Sequence, residues 1–213
     1  KRFAPGLLAR PADPAITPHV LAAAAALAAE EGQWKDARAL AMRAVNEFPT
    51  SDATPAALSL MGAAAARAGE WPLASESFRL LTGRYPGYKT GREVRLAYGE
   101  ALYRTGALAE AQARLQEFID ASPGDPELPR ALMLLGRTHE ARGDGAAALD
   151  VYKRVERDFL AFQGEALLGH ARVLLLAGTW DEAQLLLERA LWAGDEAVAV
   201  EAAYRLGEGL RGA

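Results

Sequence analysis

Residues 54–86 read TPAALSLMGAAAARAGEWPLASESFRLLTGRYP, and this stretch decides the fold. Thr54 carries a hydroxyl able to cap a helix, and Pro55 suits the first helical position, where its missing N–H would find no partner anyway. Leu58, Met61 and Ala65 then recur at helical spacing. Gly69 ends that run with the residue best suited to a left-handed helix stop. Trp71, Ala74, Phe78 and Leu81 mark the apolar stripe of a second helix, which Tyr85-Pro86 brings to a halt. The unit is a helix, a tight turn and a helix.

The same text recurs outward in both directions. Gly32, Gly69, Gly106, Gly143 and Gly178 stand 37, 37, 37 and 35 residues apart. Five residues after each comes alanine: Ala37, Ala74, Ala111, Ala148 and Ala183. Seven residues before each comes a tiny residue: Ala25, Gly62, Gly99, Gly136 and Ala171. Pro49, Pro86 and Pro123 follow the first three turns, and Thr17-Pro18 opens the first unit as Thr54-Pro55 opens the second. A fixed period of this size is the signature of stacked helical hairpins. The spacing predicts helix pairs over 18–31 and 34–47, 55–68 and 71–83, 91–105 and 108–121, 127–142 and 145–158, and 161–177 and 180–192. A last helix is predicted over 195–211. The chain is thus expected to be all-α, with an extended leader (1–16, containing Pro5, Pro11 and Pro14), five hairpins (17–194) and a C-terminal helix (195–213).

The small residues have a steric reading. Gly62 and Ala74 are expected where the two helices of one hairpin approach most closely. Trp34, Trp71 and Trp180 are expected to cover the hairpin ends. Gly145 takes that place in the fourth repeat, so its turn is expected to be the loosest. Glu201–Gly207 reads like the first helix of a sixth hairpin, with Ala203, Leu206 and Gly207 matching Leu58, Met61 and Gly62. Either further repeats or a neighbouring molecule is expected to cover it, since a terminal helix otherwise needs a polar outer face. Phe3, Leu7, Leu8 and Ile16 of the leader are expected to fold back over the methyl-lined groove of the N-terminal repeats.

This pattern resembles the tetratricopeptide repeat (TPR) family over about residues 17–211. The resemblance rests on Gly62, Gly69, Trp71, Ala74, Phe78 and Pro86, then on Gly99, Gly106, Ala111 and Pro123, then on Gly136, Gly143, Ala148 and Tyr152. It implies a right-handed α-solenoid of about five hairpins with a C-terminal helix. The fourth and fifth copies lack the closing proline, with Leu160 and Asp195 in its place. The 37-residue period and junctions such as Tyr85-Pro-Gly-Tyr88 are similar to the bacterial cell-envelope TPR class. That class includes the TPR lipoprotein of the β-barrel assembly machinery and the TPR protein of the Tol–Pal system.

In that family the first helix of each hairpin lines a groove. The resemblance therefore implies lining positions 13, 10, 6 and 3 residues before each turn glycine. In the first two repeats these are mostly alanines, such as Ala22, Ala26, Ala63 and Ala66. The third repeat supplies Leu96, Glu100 and Tyr103, the fourth Arg130, Met133 and Arg137, and the fifth Leu168 and Arg172. These eight residues form the candidate partner-binding groove, because an apolar and aromatic floor with arginine among it suits a peptide. No lysine or asparagine occupies a lining position, which speaks against the carboxylate clamp of the cochaperone TPR proteins.

Composition narrows the reading. A net charge of −4 and a pI near 5.5 give no nucleic-acid footprint. No stretch of 18 apolar residues occurs, so no membrane-spanning helix is coded. The absence of cysteine removes thiolate chemistry, disulfides and thiolate metal sites from this segment. His139 and His170 fall at inward-packing positions, and His19 stands alone in a first turn. The acidic pairs Glu30-Glu31 and Asp181-Glu182 are expected to be solvated. No catalytic set, metal spacing, cofactor motif or phosphate-binding loop is recognised. The sequence points to a non-catalytic scaffold for a protein or peptide partner, periplasmic or outer-membrane-associated, possessing no cofactor. The alternatives are a cytoplasmic TPR adaptor or regulatory domain, and a TPR enzyme subunit that lends groove residues to a partner's active site.

Overall fold

The computed structural model describes residues 13–212. Every regular element among them is helical: α1 (Thr17–Glu30), α2 (Trp34–Glu47), α3 (Thr54–Arg67), α4 (Trp71–Arg84), α5 (Arg92–Arg104), α6 (Leu108–Ala121), α7 (Leu128–Ala141), α8 (Gly145–Asp158), α9 (Gln163–Leu176), α10 (Trp180–Ala193) and α11 (Glu196–Gly212). A 3₁₀ turn, Leu160–Phe162, takes the place of the missing proline between α8 and α9. Each predicted helix is present, with ends shifted by at most a few residues.

The turn glycines do what their spacing implies. Gly32, Gly69, Gly106, Gly143 and Gly178 have φ between 74° and 80°, and no other described residue has positive φ. In four of these turns the N–H after the glycine donates to a carbonyl five residues back: Gln33 to Ala28, Glu70 to Ala65, Asp144 to His139 and Thr179 to Leu174, at 2.8–3.0 Å. This is the helix-ending bond pattern that a left-handed glycine permits. The fourth turn is as tight as the rest, so Gly145 does not loosen it. A Cβ at Gly145 would lie 3.3 Å from Val173 Cγ1, so α9 closes in where other repeats carry tryptophan.

The helix start at Thr54 differs from expectation. Its hydroxyl caps nothing; it donates 2.8 Å back to the Phe48 carbonyl, bracing the junction loop. Ser51 serves the loop instead, accepting from the Ala53 N–H at 3.2 Å.

The chain divides into two compact units, Lys1–Gly106 and Ala107–Ala213. In the first, Leu21, Ala44 and Ala57 form one buried cluster, and Ala25, Ala41, Leu58, Met61 and Leu81 form another. Gly62 is not a point of backbone contact: the Phe78 ring fills its place, and a Cβ there would come 2.5 Å from Cε1. The tryptophans reach into the next repeat. The Arg67 guanidinium lies 4.5 Å over the Trp34 ring, and Arg104 lies 5.3 Å over Trp71. Such stacks contribute about 0.5–2 kcal/mol.

In the second unit Leu167, Ala171, Leu187, Ala190, Val198 and Ala202 belong to one core. Trp180 makes the same forward reach here, its ring covering Gly209. All five repeat alanines, Ala37, Ala74, Ala111, Ala148 and Ala183, are fully buried. Helix α11 buries Val198 and Ala202, half-buries Leu206 and leaves Val200 and Tyr204 exposed. The leader residues Phe3, Leu7 and Leu8 lie outside the described residues, as does the Leu210 side chain; Ile16 is exposed.

Candidate functional site

The second unit assembles the charged half of the expected lining. Tyr152, on α8, is fully buried, and its hydroxyl donates 2.8 Å to Glu140 Oε2 on α7. Arg172, on α9, donates to both oxygens of the same carboxylate, Nε to Oε1 and Nη2 to Oε2, each at 2.9 Å. One turn earlier on α7, Arg137 Nη2 donates 3.1 Å to Glu165 Oε2 of α9. Two charge-assisted pairs thus tie α7 to α9 in opposite order, one arginine from each helix. A forked arginine on a carboxylate is the stronger of these geometries.

Burial opposes ionisation of Glu140, but the Arg172 guanidinium, the Tyr152 hydroxyl and the nearby Arg137 hold its carboxyl below the usual range. Burial and the Glu140 charge together push the Tyr152 hydroxyl above its ordinary value, so it stays protonated and keeps donating. For Arg172, burial works against the charge, but Glu140 and the more distant Glu201 of α11 hold it firmly protonated. Glu201 in turn accepts from Arg205 at 2.9 Å. The first helices of two successive repeats, α7 and α9, are therefore linked by side chains at positions that the repeat spacing selects.

The eight expected residues fare differently. Met133 and Leu168 are 3% and 7% exposed, so they serve the core and offer a ligand little surface. Arg172 is half-buried with its guanidinium committed to Glu140; it fixes the face rather than standing ready for a ligand. Arg137 is half-buried and Arg130 is exposed, its guanidinium 3.4 Å from Glu127. In the first unit Leu96 is 3% exposed and Glu100 is buried, pairing with Arg104 at 3.5 Å, while Tyr103 is half-buried. Sequence reasoning missed Tyr152 as the base of the charged face. A signal existed: Tyr152 follows Gly136 by the 16 residues that separate Phe78 from Gly62.

The histidines hold structural places. His139 is buried, with Nδ1 unpaired and 3.8 Å from Asp144. His170 Nδ1 lies 2.7 Å from Glu156 Oε1. His19 is not alone, since its Nε2 stands 2.9 Å from Asp52. The pairs Glu30-Glu31 and Asp181-Glu182 are exposed, as expected. Among the described residues no helix is long and apolar enough to cross a membrane.

The family model of YfiO, an outer membrane lipoprotein, matches residues 51–167. No curated protein matches the sequence. Among solved structures, MamA (residues 41 to the end) from Desulfovibrio magneticus RS-1 superimposes with a TM-score of 0.65 at 16% identity, over 83% of this chain and 94% of that one. YrrB, described as a TPR protein with an unusual peptide-binding site, gives 0.69 at 15% identity, over 84% of this chain and 88% of its own. At these identities the likeness speaks to the fold, a TPR α-solenoid.

Proposed function

Because the chain belongs to the YfiO family of outer membrane lipoproteins, we propose that it is a non-catalytic TPR scaffold that holds a protein or peptide partner in the bacterial cell envelope. The observation that carries this reading is the charged face of the second unit. There Arg137–Glu165 and Arg172–Glu140 brace α7 against α9 with side chains already fixed in place. A preordered polar surface loses less entropy on binding than a mobile one. Its exposed arginine, Arg130, and half-buried Arg137 are the groups through which it engages a partner. In the first unit, Tyr103 is a separate candidate contact.

A photo-crosslinking residue at position 130, introduced in the cells the chain comes from, tests the reading. The expected adduct joins the chain to a protein of the envelope. An adduct confined to cytoplasmic proteins favours the adaptor alternative and overturns the envelope assignment.

A further inference from the structure

Helix α11 closes the second unit with one face packed and the opposite face bare. Val198 and Ala202 are buried, and Trp180 of α10 lies against Gly209. Half a turn round the helix, Glu196, Val200, Ala203, Tyr204, Gly207 and Arg211 recur three or four residues apart, so they share one side. Val200 is 64% exposed and Tyr204 61% exposed. The end helix of a repeat array ordinarily turns a polar face outward. A Cβ at Gly207 would meet nothing within 4 Å, so no described neighbour accounts for the glycine. Glycine weakens a helix interior, and here its own chain offers no packing in return.

The order of these residues along the helix selects the occupant. Glu196 stands in the first turn and Arg211 in the last, and neither makes an ion pair or hydrogen bond among the described residues. The midpoint between them falls between Ala203 and Tyr204. A second α11 laid antiparallel about that midpoint brings Glu196 of each copy to Arg211 of the other, about 11 Å either side of the axis along the helix. The same register sets Val200 opposite the other copy's Gly207 and Tyr204 opposite its Ala203, a large side chain on a small one each time. The remaining charges do not oppose this pairing. Glu208, at the edge of the stripe, accepts from the Tyr204 hydroxyl at 2.9 Å and falls opposite Ala199 of the other copy. Glu201 and Arg205 are half-buried and bind each other at 2.9 Å.

We propose that the exposed face of α11 is a self-association surface, on which two copies of this chain pair antiparallel about a two-fold axis at Ala203 and Tyr204. The interface is a single helix pair, smaller than the roughly 1,600 Å² of a standard complex, so the expected association is micromolar rather than nanomolar. The proposal does not depend on what the face on α7 and α9 holds.

Sedimentation equilibrium of the whole chain should show the mass rising from one copy to two, and no further, as concentration climbs toward about 1 mM. Glu196→Arg and Arg211→Glu should each weaken self-association at least about tenfold, because each sets like charges together at both ends. Mixed in equal amounts, these two variants should pair with each other, since every end then joins opposite charges. Gly207→Leu fills the seat of Val200 but meets nothing in its own chain. It should abolish pairing and keep a native melting midpoint, which certifies the fold. The chain has no cysteine, so Ala203→Cys places one thiol beside the axis and should oxidise to a disulfide-linked dimer. Glu196→Cys, about 22 Å from its copy, should not. A mass that stays at one copy to about 1 mM or climbs past two, single charge variants that associate as wild type does, or a mixture no better than its components overturns the proposal.

Discussion

The ring of Tyr152 fills the space that a side chain at Gly136 would need: a Cβ there would lie 2.6 Å from ring Cε1. The ring meets Gly169 of α9 in the same way, with 2.6 Å from a Cβ there to Cζ. Two glycines on successive first helices thus form a slot for one aromatic ring, and the slot aims its hydroxyl at Glu140. Packing and the charged face are one construction.

Gly136→Ala should therefore destabilise the chain by about 1–3 kcal/mol, the cost of overpacking a tight core. Tyr152→Phe keeps the ring and removes only a hydrogen bond to a charged group, at about 1.5–3 kcal/mol. Denaturant titration of both variants checks the difference in kind: Glu140→Gln should cost more than Tyr152→Phe, since it also breaks the Arg172 pair, and the double variant should lose less than the sum of the two single losses, since they share the Tyr152–Glu140 bond.

The pH dependence has a definite sign. The Glu140 carboxyl is held below its ordinary value in the folded state. Its contribution is therefore complete above the unfolded carboxyl range and is lost as pH falls through the lower folded value. Wild type should exceed Glu140→Gln in melting midpoint at neutral pH, with the gap closing only below about pH 4. A gap that stays constant into strong acid contradicts the assignment.

Ala74 is fully buried five residues after its turn glycine. Ala74→Leu should lower stability by about 1–3 kcal/mol. An unchanged melting midpoint would count against the register of the whole repeat.

The hairpins were legible because a period of glycine, alanine and proline records backbone needs directly. A left-handed turn demands Gly69, and a fully buried position five residues on holds Ala74. The repeat spacing also put Arg137 and Arg172 on neighbouring first helices, where each pairs with a carboxylate of the other helix. What spacing could not tell was commitment. Met133 and Leu168 share a face with Arg137, yet turn into the core. Arg172 reads as a free cation until Glu140, 32 residues away, closes on it. Gly62 read as a helix crossing because a sequence does not say whether a neighbour's backbone or its ring fills the gap.

The most direct measurement takes the envelope protein recovered by crosslinking and titrates it against the purified chain and its Arg130→Ala, Arg137→Ala double variant. The face on α7 and α9 predicts a loss of about 1–3 kcal/mol in binding, the range of interface hot spots, from a variant that still unfolds cooperatively. Unchanged affinity for the folded double variant would contradict the claim that this face holds the partner.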